Sequence, residues 1–165
     1  MRPWNTFVEG DNLHVLPRLA PAYGPFDVVY LDPPYNTGNP FVYDDKVDGR
    51  RADRHLVWAS MMRPRLDAVR AVLSARGAVF VSIDDNEVAQ LRLLMDEVFG
   101  EDAFVAQIVV NLNAKGRQLG RGFATSHEYL LVYARSMPHC ALDASSPSTV
   151  DPRDFPLTTA DGRRF

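Results

Sequence analysis

Phe26-Asp-Val-Val-Tyr-Leu-Asp-Pro-Pro-Tyr-Asn-Thr-Gly38 is the stretch on which the fold turns. Its first six residues are short, apolar and partly β-branched, bounded by Gly24-Pro25 before and Pro33-Pro34 after. That pattern predicts a central strand buried on both faces. The strand has to stop at Pro33-Pro34, where two successive residues lack an N–H and hold φ near one value. A carboxylate, a stiff dipeptide and an aromatic ring therefore stand at the carboxyl end of a strand, where ligands bind in open α/β sheets. Asp32 and the carbonyls of Pro33 and Pro34 are acceptors, and Tyr35 offers a flat face. Converging acceptors beside a ring suit a flat heterocycle with an exocyclic amino group, such as adenine or cytosine turned out of the helix stack. Extruding a base costs a few kcal/mol, and stacking on an aromatic side chain returns roughly 1–3 kcal/mol per base. Read blandly, Asp-Pro-Pro is a strand-ending turn and nothing more.

The rest of the chain alternates strand and helix. Thr6–Glu9 reads as a short strand ending at Gly10-Asp11, and Asp11 caps a helix whose stripe is Leu13, Leu16 and Leu19. Asn36–Arg54 is a polar loop, either a lid over the ligand or a plain surface loop. Trp58, Met62, Leu66, Val69 and Leu73 repeat at helical spacing, with Pro64 expected to kink or split the helix. Gly77–Ile83 is a second buried parallel strand, and Val88–Val98 a helix stopped at Gly100. Phe104–Val110 and Glu128–Tyr133 read as strands close enough in sequence to pair antiparallel. Between them, Lys115, Arg117 and Arg121 lie among glycines, a phosphate-contacting loop or a solvated hairpin tip. From Ser136 onward, Pro, Ser, Asp and Thr predict a poorly ordered tail.

Composition narrows the function classes. The 165 residues make one domain, 46% hydrophobic and 24% charged, with a formal net charge of −3. No global basic field advertises nucleic acid, so contact with phosphates falls to a local loop. The single cysteine, Cys140, excludes an internal disulfide and a thiolate zinc cluster. Asp84, Asp85 and Glu87 are expected to serve as caps and dipole partners rather than as a metal cluster, and no histidine is assigned to metal. No apolar run approaches a membrane span, and Met-Arg-Pro-Trp at the start carries no signal-peptide core, so the cytoplasm is the expected location.

Leu31-Asp-Pro-Pro-Tyr-Asn-Thr-Gly-Asn39 resembles the catalytic motif of the DNA amino-methyltransferases, which act on adenine N6 or cytosine N4, and its Asp-Pro-Pro-Tyr form is the more usual one for adenine. The likeness continues through Arg65-Leu66, Gly77–Glu87, Phe99-Gly100, Lys115–Gly120 and His127–Tyr133. It points to the modification subunits of type III-like restriction systems, in which the catalytic motif precedes the cofactor motif. The resemblance implies an α/β, Rossmann-like fold dependent on S-adenosylmethionine, with a mainly parallel sheet and a C-terminal antiparallel hairpin. It implies Asp32, Pro33, Pro34 and Tyr35 as catalytic residues, and Asp11 and Asp32 beside the cofactor. Lys115, Arg117 and Arg121 would contact double-stranded DNA. A complementary methyltransferase half or a restriction subunit is the implied protein partner.

One departure matters. The family's Phe-x-Gly-x-Gly cofactor turn does not occur in the sequence, and the family's strand order would set two strands between Thr6–Glu9 and Phe26–Leu31. The expectation is therefore an incomplete fold: residues 1–135 as the catalytic-motif half, with 136–165 as tail or the opening of another segment. Two rival readings are a nucleic-acid-binding or assembly remnant without the cofactor half, and a Mg2+-dependent nucleotide enzyme using residues 84, 85 and 87. The latter lacks a phosphate-cradling glycine loop.

Overall fold

In the computed structural model the described residues are 6–37, 51–112 and 125–142. Helix α1 spans Asn12–Tyr23 and opens at Asp11, whose carboxylate accepts the Leu13 N–H at 2.9 Å. It closes at Gly24, whose φ of 85° is a conformation that costs glycine little. Strand β1 (Phe26–Leu31) follows, then helix α2 (Arg51–Val72), strand β2 (Leu73–Ile83) and helix α3 (Val88–Phe99). Strands β3 (Phe104–Asn111) and β4 (His127–Ala134) complete a four-stranded sheet in the order β1-β2-β4-β3.

β1 and β2 pair parallel, whereas β4 pairs antiparallel with both β2 and β3, so β4 alone opposes the other three. The sheet is thus mixed rather than mainly parallel in its pairings. Its core lies on one face. Val79, Val81 and Ile83 of β2 and Leu131 and Tyr133 of β4 meet Trp58, Met62, Leu66 and Val69 of α2 and Leu91, Met95 and Val98 of α3. The hydroxyl of Tyr133 donates to Asp96 on α3 at 2.5 Å, which satisfies the polar end of a fully buried ring.

Several expectations are corrected. β1 is an edge strand among the described residues and is buried on one face only: Val28 is 59% and Tyr30 61% exposed. Thr6–Glu9 is not a strand. No described strand offers its backbone a partner, and Phe7 stands 91% exposed. Helix α2 is not split, and it runs through Pro64. An interior proline costs roughly 3 kcal/mol. Burying Trp58, Met62, Leu66 and Val69 returns roughly 1.5–3 kcal/mol each, so packing wins. Leu73, placed in the helix stripe by its spacing, instead opens β2 opposite Phe26.

The stretch expected as tail begins with a short turn at Met137–His139, and the Ala141 N–H donates to the Arg76 carbonyl at the start of β2. Residues 143–165 lie outside the described residues, as does most of the loop expected over Asn36–Arg54. No described helix is long and apolar enough to cross a membrane.

Candidate active site

The strand directions bring four chain ends to one side of the sheet. The carboxyl ends of β1, β2 and β3 lie there beside the amino end of β4, with Ile83 opposite Tyr129 and Asn111 opposite His127. Asp32-Pro33-Pro34-Tyr35 leaves β1 at this edge. Asp32 is exposed, and its Oδ1 accepts the Ser82 hydroxyl at 2.9 Å; the same hydroxyl lies 3.2 Å from the Leu31 carbonyl. Ser82 thus ties the tip of β1 to the end of β2.

The ring of Tyr35 packs against the core while its hydroxyl donates to Glu128 Oε2 at 3.2 Å. Burial pushes this phenol up to about 12; the Ser82 hydroxyl opposes the rise, and the charges of Asp32 and Glu128 add to it. Tyr35 therefore stays a donor through the physiological range. The indole N–H of Trp58 donates to the Pro34 carbonyl at 2.6 Å.

The sequence-predicted residues Asp32, Pro33, Pro34 and Tyr35 therefore come together at one edge. Asp11 is different: its two oxygens lie 3.1 and 2.9 Å from Arg65 Nη2 on α2, besides capping α1. The backbone N–H of Leu13 first, and the Arg65 charge, hold this carboxyl below its ordinary range. Lys115, Arg117 and Arg121 lie outside the described residues. The described strands on either side of them, β3 and β4, are joined at this same edge by the Leu112 N–H donating to the Ser126 carbonyl at 2.9 Å.

Four residues escaped the sequence reading. Ser82 could have been suspected as a lone polar residue inside a buried strand, and Glu128 as a carboxylate opening one. Asn36 and Glu87 carried a weaker signal. Glu87 was expected to be a cap, yet it makes no side-chain cap on α3 and is fully buried. Asp84 accepts from Asn86, and Asp85 from the Tyr129 hydroxyl at 2.8 Å, which in turn lies 3.0 Å from His127 Nε2. The three acids point to three separate partners, and no group of three metal-ligating side chains occurs among the described residues.

A glycine turn able to cradle S-adenosylmethionine is not found among the described residues. The turns after β1 and β2 are Pro-Pro and Asp-Asp-Asn, and neither holds a glycine where a backbone could approach the cofactor closely. Of the described glycines, Gly24 and Gly100 follow helices, Gly77 lies inside β2, and Gly10 precedes α1, where a Cβ would meet Val15 at 2.9 Å.

The family model described as DNA methylase matches residues 26–159. The chain belongs to the DNA methylase family. Among its relatives, the Mod subunit of the type III restriction-modification enzyme EcoPI, from Escherichia phage P1, is 38% identical over 164 residues, covering 84% of this chain and 25% of that protein. The type II methyltransferase M.KpnI of Klebsiella pneumoniae is 43% identical over 131 residues, 77% of this chain and 31% of that one. This methylase-family chain thus spans about a quarter of the length of the EcoPI Mod subunit. A crystal structure of a protein assigned as a DNA modification methylase from Thermus thermophilus superposes with a TM-score of 0.50 at 17% identity, over 88% of this chain and 56% of that one. The fold is that of the methyltransferases, present in part.

Proposed function

We propose that this chain is the catalytic-motif part of a site-specific DNA adenine-N6 methyltransferase of the restriction-modification type. The observation that carries the reading is the edge of β1, where Ser82 holds the Asp32 carboxylate and Glu128 holds the Tyr35 hydroxyl. A flipped adenine is the ligand this edge would hold. Asp32 and the Pro33 carbonyl accept its two N6 hydrogens, which draws the nitrogen lone pair out of ring conjugation, and Tyr35 stacks on the ring. S-adenosylmethionine supplies the methyl group when bound. The residues of this chain position and polarise the acceptor, and form no covalent intermediate with it.

Residues 1–135 make up this catalytic-motif half, with Asp11 and Asp32 on the side that faces the cofactor. The glycine turn that cradles the cofactor belongs to the remainder of the fold. Lys115, Arg117 and Arg121 contact DNA phosphates from the hairpin, and a restriction subunit is the expected protein partner. The cytoplasm is the expected location.

A chimera tests the reading. Residues 26–135 replace the matching segment of the EcoPI Mod subunit, and labelled methyl transfer to duplex DNA is followed by nucleoside analysis of the digest. N6-methyladenine is the expected product, and Asp32→Ala should lower its formation by on the order of 10²-fold or more. A folded chimera that binds DNA but methylates nothing would favour the binding remnant instead. Full activity in the Asp32→Ala chimera would overturn the catalytic assignment.

A further inference from the structure

The Asp32–Tyr35 turn ends on Asn36, whose φ of 55° is left-handed. Of the non-glycine residues, asparagine and aspartate enter that region most readily. Here something also holds it there. Asn36 is 3% exposed, and its side-chain amide donates to Glu87 Oε1 and to the Arg54 carbonyl at 3.4 Å. Glu87 Oε1 also meets His55 Nδ1 at 2.7 Å. Arg54 and His55 belong to α2, which follows the motif in the chain, and Glu87 to the turn between β2 and α3. One buried carboxylate thus gathers both sides of the segment that leaves the motif.

Stability does not account for Glu87. It is fully buried, its Oε2 has no partner among the described residues, and its side chain makes no cap hydrogen bond to α3, at whose N-terminus it stands. Buried carboxylates are often no better for stability than an apolar side chain of similar volume. What Glu87 does have is direction, because its described partners, Asn36 and His55, bracket the segment that leaves the motif. Trp58, one turn beyond His55, fixes the same turn from above through the Pro34 carbonyl.

We propose that Glu87 is a positioning residue for the Asp32–Tyr35 turn: it holds Asn36 left-handed, and so aims the Asp32 carboxylate and the Pro33 carbonyl at one nucleobase amino group. The role rests on the function proposed above, yet its test needs no methyl transfer. The reporter is the Trp58 indole N–H in spectra of the 15N-labelled full chain, identified against Trp4 by Trp58→Phe.

Glu87→Ala should shift that resonance and speed its solvent exchange roughly tenfold, while the Leu66 and Val69 amides further along α2 keep theirs. Glu87→Gln, which keeps an acceptor oxygen at the same reach, should restore the native resonance. Asn36→Ala cuts the same link from its other end and should reproduce the loss, so it decides the matter if Glu87→Ala fails to fold. Combining the two should add nothing further. An unmoved indole in Asn36→Ala and in any folded Glu87→Ala, or a loss that Gln leaves unrestored, would overturn the proposal. Inactivity of the unsubstituted chimera, or full activity with Asp32→Ala, would leave this readout untouched, so the two ideas fail separately.

Discussion

Val28 and Val29 are neighbours in β1 and chemically identical, yet they have opposite fates. Val29 and Leu31 face the helices and pack against the core, whereas Val28 and Tyr30 point the other way and stand largely exposed. All three described helices serve the first face. An apolar run of this kind is normal for a strand covered on both sides. The difference teaches that β1 carries a strand pattern for two covers while the described residues supply one.

The largest effect that could break this comparison is on stability. Leu66→Ala or Met95→Ala, each on the covered side and fully buried, should cost roughly 2–5 kcal/mol in urea unfolding of the chain. Tyr30→Ser, on the open side, should fall within about 0.5 kcal/mol. Equal costs would mean that the second face is covered too, and the contrast would be lost.

How much was legible in the sequence follows the same divide. The strand at Phe26–Leu31, the helix stripe at Trp58–Val69, the stop at Gly100 and the antiparallel β3–β4 pair were all readable, because each is written in local periodicity or in a cap. The open second face of β1 was not, since burial there depends on what lies across it. Thr6–Glu9 has the residues of a strand but no neighbour to pair with among the described residues. At the site, Asp32 and Tyr35 were legible from the motif. Ser82, Glu128 and Glu87 were not, because their roles come from contacts distant in sequence: Ser82 is 50 residues from Asp32, Glu128 is 93 from Tyr35, and Glu87 is 51 from Asn36.

Tyr35 joins the two regions, its ring against the covered core and its hydroxyl at the open edge, and this sharpens the comparison at a smaller scale. Its folded-state phenol is raised to about 12 from an ordinary 10. The sign follows: its contribution to stability is complete below the unfolded value and is lost as pH climbs through about 12. Alkaline titration of phenolate absorbance should show late-ionising tyrosines, Tyr133 among them, one of which Tyr35→Phe removes. Glu128→Gln, by deleting one negative neighbour, should bring that ionisation earlier, though not to 10, because burial is the leading cause. A Tyr35 that ionises like a free phenol would put the ring in water, and the edge would lose its rigid stacking surface.

The smallest effect on stability comes with the most telling change in behaviour. Val28→Ser with Tyr30→Ser should leave the urea midpoint nearly where it was, since neither side chain is buried. Exposed apolar side chains on a strand with an open outer edge favour association, so the unmodified chain should grow in light scattering as its concentration rises, and the double variant should grow less. The two sources of stickiness can be separated. Side chains on the face are removed by the serine pair, whereas the backbone donors and acceptors along the outer edge of β1 are not. Association that persists undiminished in the double variant would place the contact at that edge, where a further strand would pair, rather than on the face, where a further helix would pack.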